Sequence, residues 1–190
     1  GDVNEANVLV SNMATVSLVD CDSWQLRYGG ETLRCCVGRP EYTPPELQGA
    51  AYGYMIRGPQ HDDFGLAVLL WKLLFAGMHP FDSLWTGSGE PLCVAARIVA
   101  GLFPYARNRR SPVRPAPLAP AYESLDRRLA DLAERCFVDS GTDPSARPDA
   151  AAWQFALFLA EQALQRCARH PRHEYTGRRC PWCRHAKKTG

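Results

Sequence analysis

The chain has 190 residues, 46% of them hydrophobic and 22% charged, with a formal net charge of +2. That length and balance suit a single domain with a buried core and exclude a largely disordered chain. A charge so near zero does not argue for a nucleic-acid partner, and no run of about eighteen apolar residues is present to span a membrane.

Taken in chain order, the first signals are β. Val8-Leu9-Val10 and the run Thr15 to Val19 are short and β-branched, and Ser11-Asn12 between them predicts a tight hairpin. Residues 20–60 carry turn punctuation (Gly29-Gly30, Gly38, Pro40, Pro44-Pro45, Gly58-Pro59) and little periodicity, which predicts a long ordered loop. Such loops are uncommon unless they are functional. Residues 62–76 read as the clearest helix, with Asp62 or Asp63 as its cap and Gly77 as its stop. Its apolar stretch from Phe64 to Phe75 is wet on few sides, so it belongs in the middle of the domain. Residues 90–100 and 123–137 predict shorter amphipathic helices joined by a connector containing Pro112, Pro115, Pro117 and Pro120. A last helix over 149–166 carries Trp153, Leu157, Ala160 and Leu164 on one face. Two strands followed by four helices give a mainly α fold without internal repeats.

The cysteines divide into two groups. Cys21, Cys35, Cys36, Cys93 and Cys136 are scattered and read as reduced thiols, which suits a cytoplasmic protein. Cys167, Cys180 and Cys183 cluster at the end with His170 and His173 between them. A Cys-x-x-Cys pair grips one metal ion from a tight turn, and two further ligands complete a tetrahedron. Cys167, at the end of the last helix, supplies a third thiolate, and His173 or His170 the fourth ligand. A Cys₃His zinc site of this kind has no open position and is structural. The neighbouring basic residues Arg178, Arg179, Arg184, Lys187 and Lys188 read as a solvated terminus, with His185 on the surface.

Chemistry is also concentrated at the start. Asp2 and Asn7 stand just before the first strand, and Asp20 follows the second. Phosphoryl transfer is mostly positioning and charge neutralisation, and hard oxygen ligands of these types hold Mg²⁺ against phosphates.

The order of the segments resembles the C-terminal lobe of bacterial proteins related to eukaryotic-type Ser/Thr protein kinases. Asp2-Val3-Asn4-Glu5-Ala6-Asn7 is similar to the family's catalytic loop, and Leu18-Val19-Asp20 to the approach to its metal-binding Asp. Gly38-Arg39-Pro40-Glu41-Tyr42-Thr43-Pro44-Pro45-Glu46 resembles the end of an activation segment. Phe75-Ala76-Gly77-Met78-His79-Pro80-Phe81 resembles the end of the central helix, and Ala146-Arg147-Pro148 the approach to the last one. The resemblance implies a kinase lobe over 1–166, with the N-lobe outside this chain, and a zinc-knuckle-like tail over 167–190. It implies Asp2 as general base, Asn7 and Asp20 as ligands of Mg²⁺ with ATP, and Glu46–Arg147 as a buried ion pair. In the tail, the Cys, His-x-Tyr and Cys-Pro-Trp-Cys pattern selects His173 over His170.

The chain departs from the family at several points. Asn4 stands where a Lys is usual, Arg39 where a Thr is, and Asp20-Cys21-Asp22 replaces Asp-Phe-Gly. Gly1 stands where the family has an Arg, and the opening on a functional loop reads as a piece of a longer protein. Arg39 is a candidate to return the positive charge that Asn4 removes. Two readings follow: a kinase acting on protein hydroxyls through the longer parent, with this piece alone inactive, or a pseudokinase scaffold that binds a protein partner.

Overall fold

The structure, a computed structural model, describes residues 1–107, 110–141, 143–177 and 179–189. Of the terminal basic run, Arg178 and the side chain of Lys188 lie outside the described residues, as does the side chain of His185. Among the described residues, helices outweigh eight short strands that pair only two by two. No described helix is long and apolar enough to cross a membrane.

The first hairpin joins β1 (Val8–Val10) to β2 (Val16–Leu18), with Val8 opposite Leu18 and Val10 opposite Val16. The second strand is shorter than the β-branched run that announced it. The 20–60 segment is more structured than its punctuation suggested. It holds a second hairpin, β3 (Leu26–Tyr28) with β4 (Glu31–Leu33), and 3-10 turns at Pro40–Tyr42, Pro45–Leu47 and Tyr52–Tyr54.

Helix α1 spans Pro59–Leu74, starting earlier than the expected 62. Gly58 is its extended N-cap and Pro59 occupies the first helical position, where a missing N–H is harmless. The Gly58 N–H is taken up by His61 Nδ1 at 2.9 Å. Asp62 and Asp63 are therefore inside the first turns and neither is the cap. The helix ends before Gly77 because Ala76 and Gly77 are both left-handed, at φ 53° and 83°, and the Gly77 N–H returns to the Lys72 carbonyl at 2.7 Å.

A third ladder pairs β5 (Ser83–Trp85) with β6 (Val113–Pro115) across the Pro-rich connector. Helix α2 between them is only Val94–Val99, shorter than the expected 90–100, because Cys93 is extended (φ −66°, ψ 164°) and stands as its N-cap. The 123–137 expectation resolves into a 3-10 turn at Tyr122–Ser124 and helix α3 at Arg127–Phe137, capped by Asp126 onto the Arg128 N–H at 2.9 Å. Helix α4 is Ala150–Gln162, capped by Asp149 onto the Ala152 N–H at 2.8 Å. It stops short of 166 because the chain turns into a fourth hairpin, β7 (Gln165–Cys167) with β8 (His170–Tyr175). Leu164 consequently lies off the helix and is 44% exposed, and Cys167 sits on a strand rather than at a helix end. A fifth helix, α5 (Pro181–Thr189), closes the chain.

The core forms around Trp71 of α1, which is 1% exposed. Its indole stacks on Phe75 at 3.9 Å between centroids and meets Phe103 and Tyr105 at 5.2 Å and Phe137 at 6.1 Å. Aromatic contacts of this kind add about 0.5–1.5 kcal/mol each beyond area burial, which makes α1 the rigid reference of the molecule. Burial pushes the Cys136 thiol up to about 12, so this sulfur is an inert packing group.

Candidate functional site

Segment 1–7 lies along one face of α1. The Asp62 carboxylate accepts a hydrogen bond from the Gly1 nitrogen at 2.5 Å. At Gly65 the loop comes so close that an added Cβ would stand 2.9 Å from the Val3 carbonyl oxygen. Further along, Lys72 donates to Glu5 at 2.8 Å. Positions 62, 65 and 72 share a helix face at a spacing of three and then seven residues.

Within the segment, Asn4 is fully buried at 0% exposure. Its Oδ1 accepts from the Ala6 N–H at 3.0 Å and caps the 3-10 turn Glu5–Asn7, while its Nδ2 donates to the Asp2 carbonyl at 3.2 Å. Asn7 Nδ2 donates to that same carbonyl at 2.9 Å. The hairpin continues the arrangement: the Val19 N–H donates to the Asn7 carbonyl at 3.0 Å, bringing Asp20 to the mouth of the loop. Asp20 is held in a left-handed conformation, φ 61°, by Ser23, whose Oγ and N–H both bond its carbonyl at 2.8 and 3.0 Å. The Asp22 carboxyl beside it, with Asp2 further off, raises the Asp20 carboxyl above its usual range. Among the described residues no Lys or Arg forms an ion pair with Asp2, Asp20 or Asp22. Arg39 is exposed and lines a small cleft with Asp2 and Arg57, without an ion pair to Asp2.

Two supports were not visible in the sequence. Arg57 staples the 20–60 segment to the loop: its guanidinium donates to the carbonyls of Gly1 at 2.7 Å, Cys35 at 3.2 Å and Val37, and lies 4.3 Å over the Tyr52 ring. Glu5 receives hydrogen bonds from Lys72 and from the Tyr42 hydroxyl, and Lys72 also donates to that hydroxyl at 2.7 Å. Burial opposes ionisation of Glu5, but the Lys72 and Tyr42 bonds outweigh it and bring its carboxyl down to about 2. Glu5 and Lys72 are 67 residues apart, and no local signal joins them.

Glu46 and Arg147 meet in a two-pronged pair, Nη1 to Oε1 at 2.6 Å and Nη2 to Oε2 at 2.7 Å. The Arg147 side chain is 0% exposed and also donates to the Gln60 carbonyl at 3.0 Å and Ser140 Oγ at 3.2 Å.

At the other end of the molecule, Cys167, His173, Cys180 and Cys183 offer ligand atoms that all lie within 4.8 Å of one another, a group that could hold a metal ion. Cys167 Sγ is 3.5 Å from Cys183 Sγ, and His173 Nδ1 is 3.6 Å from both Cys180 and Cys183. The Arg169 N–H donates to Cys167 Sγ at 3.4 Å and draws that thiol below its usual range. Donating its S–H to Cys167 pushes the Cys183 thiol up to about 11. His170 stacks on His173 at 4.2 Å and stands outside the four-ligand group. The Trp182 indole N–H donates to the Glu174 carbonyl at 2.8 Å and ties α5 to β8.

Sequence comparison finds the chain similar to part of two curated bacterial proteins. It is 35% identical over 187 residues to the protein kinase YegI of Escherichia coli O157:H7, a match covering 96% of this chain and 29% of that protein. Over 187 residues it is 33% identical to the protein kinase YegI of Escherichia coli strain K12, with 96% and 29% covered. The chain thus spans 29% of the length of these curated relatives. No protein-family model matches it.

Proposed function

We propose that the chain is the C-terminal lobe of a Ser/Thr protein kinase, spanning 1–166 and followed by a zinc-binding tail at 167–190, and that it works with an N-lobe supplied by a longer parent. The observation that carries this reading is the hairpin-and-loop arrangement that gathers Asp2, Asn7 and Asp20 at one mouth. The Asp2 carboxylate takes the proton of a protein hydroxyl as that oxygen bonds to the γ-phosphorus of ATP and the bond to the departing ADP breaks. Asn7 and Asp20 offer oxygens to Mg²⁺, which neutralises phosphate charge when bound with ATP. The raised Asp20 carboxyl, crowded by Asp22 and Asp2, fits that role, since a cation relieves the repulsion. The piece alone, without the rest of an ATP site, transfers little phosphate.

In the tail, a tetrahedral zinc with Zn–S of about 2.3 Å and Zn–N of about 2.0–2.1 Å has edges of about 3.8 Å between sulfurs and about 3.6 Å from sulfur to nitrogen. The 3.5 and 3.6 Å spacings of the Cys₃His group fit those edges, which supports a structural zinc held by Cys167, His173, Cys180 and Cys183. Reduced ligands of this type suit the cytoplasm.

The scaffold reading rests on one observation, the neutral and buried Asn4 where a phosphate-facing cation is usual in the family. The two readings are separated by phosphate transfer from labelled Mg-ATP in the parent protein, with Asp2→Asn and Asp20→Ala as controls. Transfer abolished in both controls supports the kinase. No transfer by the parent, with ATP binding indifferent to Asp20→Ala, refutes it and leaves the scaffold.

A further inference from the structure

We infer that Glu5, Tyr42 and Lys72 form a latch that positions the Asp2–Asn7 loop on α1 and couples it to the 38–46 segment. As an inference about phosphoryl transfer, it rests on the kinase reading above. The argument starts from where the three groups are anchored. Lys72 follows Trp71, a core ring only 1% exposed, on a helix that aromatic packing holds rigid. Tyr42 is 8% exposed, belongs to the same core and meets His79 edge-on at 6.4 Å. Both reach the carboxylate of Glu5, which stands between Asp2 and Asn7 on the 3-10 turn that presents them.

The loop therefore meets α1 at three places, by hydrogen bonds at Asp62 and Lys72 and by close approach at Gly65, and of these Lys72 also bonds to Tyr42 of the 38–46 segment. Tyr42 lies in the turn that leads to Glu46, itself clamped by Arg147. A displacement of the 38–46 segment is transmitted to the loop through a hydroxyl shared by an ammonium and a carboxylate. Charge-assisted bonds of this kind are about twice as strong as neutral ones, and the closed triangle fixes direction as well as distance. Glu5, Tyr42 and Lys72 are thus positioning residues, acting through the placement of Asp2 and Asn7.

The test uses Glu5→Gln, Lys72→Met and the exchanged pair Glu5→Lys/Lys72→Glu. Amide hydrogen exchange is followed over residues 1–10 of the chain, and phosphate transfer in the parent protein. The latch predicts faster exchange confined to residues 2–8 in the single variants, with kcat lowered on the order of 10- to 100-fold and KM for ATP nearly unchanged. It also predicts partial recovery of both in the exchanged pair. Unchanged exchange in the loop overturns the latch whatever the transfer rate. Faster exchange throughout the chain also overturns it, because the residues would then serve only overall stability. Should the parent transfer no phosphate while loop exchange still responds, the positioning role and the kinase reading fall together. Exchange separates that outcome from failure of the latch itself.

Discussion

Replacing Glu46 by Ala isolates the energetics of the buried pair. The Arg147 guanidinium donates two hydrogen bonds to Glu46 at 2.6 and 2.7 Å, one to Gln60 and one to Ser140. The substitution removes the two charge-assisted bonds and leaves a guanidinium with 0% side-chain exposure facing a void. Hydrogen bonds to charged groups contribute about 1.5–3 kcal/mol each, and breaking a buried pair on one side costs about 3–5 kcal/mol. Glu46 is 28% exposed, so water can reach part of the vacated space and the lower end, about 3 kcal/mol, is expected. For a chain of this size that corresponds to a fall in melting temperature of roughly 6–12 °C. The assay is urea and thermal unfolding of Glu46→Ala, Arg147→Met and the double variant. The double variant should lose less than the two singles added, because neither partner is left charged and alone. A loss below about 1 kcal/mol for Glu46→Ala, or strict additivity, would refute the view that Arg147 depends on this carboxylate.

Zinc should bind one ion per chain, measured by metal content and thiol titration. His173→Ala or Cys183→Ala should lose it and His170→Ala should keep it, and the reverse result for the histidines would reassign the ligand. Stability should fall with acid in two windows. Burial holds His79 and His61 below their usual 6.5, so the folded state resists their protonation and loses stability below that pH. Glu5, at about 2 against 4.5 when unfolded, and Glu46, also lowered, contribute above 4.5 and lose that contribution as the pH falls from there toward 2. Urea midpoints measured against pH should flatten in the lower window for Glu5→Gln, and an unchanged slope would remove Glu5 from the account. Asn4→Lys should destabilise by about 2 kcal/mol or more, since it removes the turn cap and buries a cation. A stable Asn4→Lys parent with faster transfer would refute the reading of Asn4 as a strut.

Local chemistry made part of this legible in the sequence. The first hairpin followed from β-branched runs around Ser11-Asn12, and the central helix from an apolar stretch ended by glycine. Boundaries slipped where a proline or a cap acted. Gly58-Pro59 started α1 before its acidic residues, an extended Cys93 delayed α2, and the β7–β8 hairpin cut α4 short of Cys167. That hairpin was hidden because its ladder runs through Arg, His and Glu side chains whose alternation does not follow hydrophobicity. The close spacing of the Cys₃His group was approachable from Cys-x-x-Cys and its neighbouring histidine. The Glu5–Tyr42–Lys72 contact joins three distant segments through polar atoms, and no period or motif marks it.

Asn4 and Arg39, two of the departures from the kinase resemblance, lie in different surroundings, one buried and one exposed. Asn4 faces inward, with both ends of its amide used to shape the turn between Asp2 and Asn7. A lysine there would have to leave that position to meet a phosphate, and the turn would lose its cap. Arg39 faces outward, and its backbone carbonyl, rather than its guanidinium, is the fastening, accepting from Thr43 Oγ1 at 2.8 Å. Among the described residues its guanidinium forms no ion pair, and it lines the cleft with Asp2. On the proposed kinase reading, positive charge for the phosphate would come from outside the loop interior, with Arg39 and Arg57 at the cleft as candidates. The loop itself is held by hydrogen bonds to α1 and by the Glu5 carboxylate, which makes its shape independent of the charge it lacks.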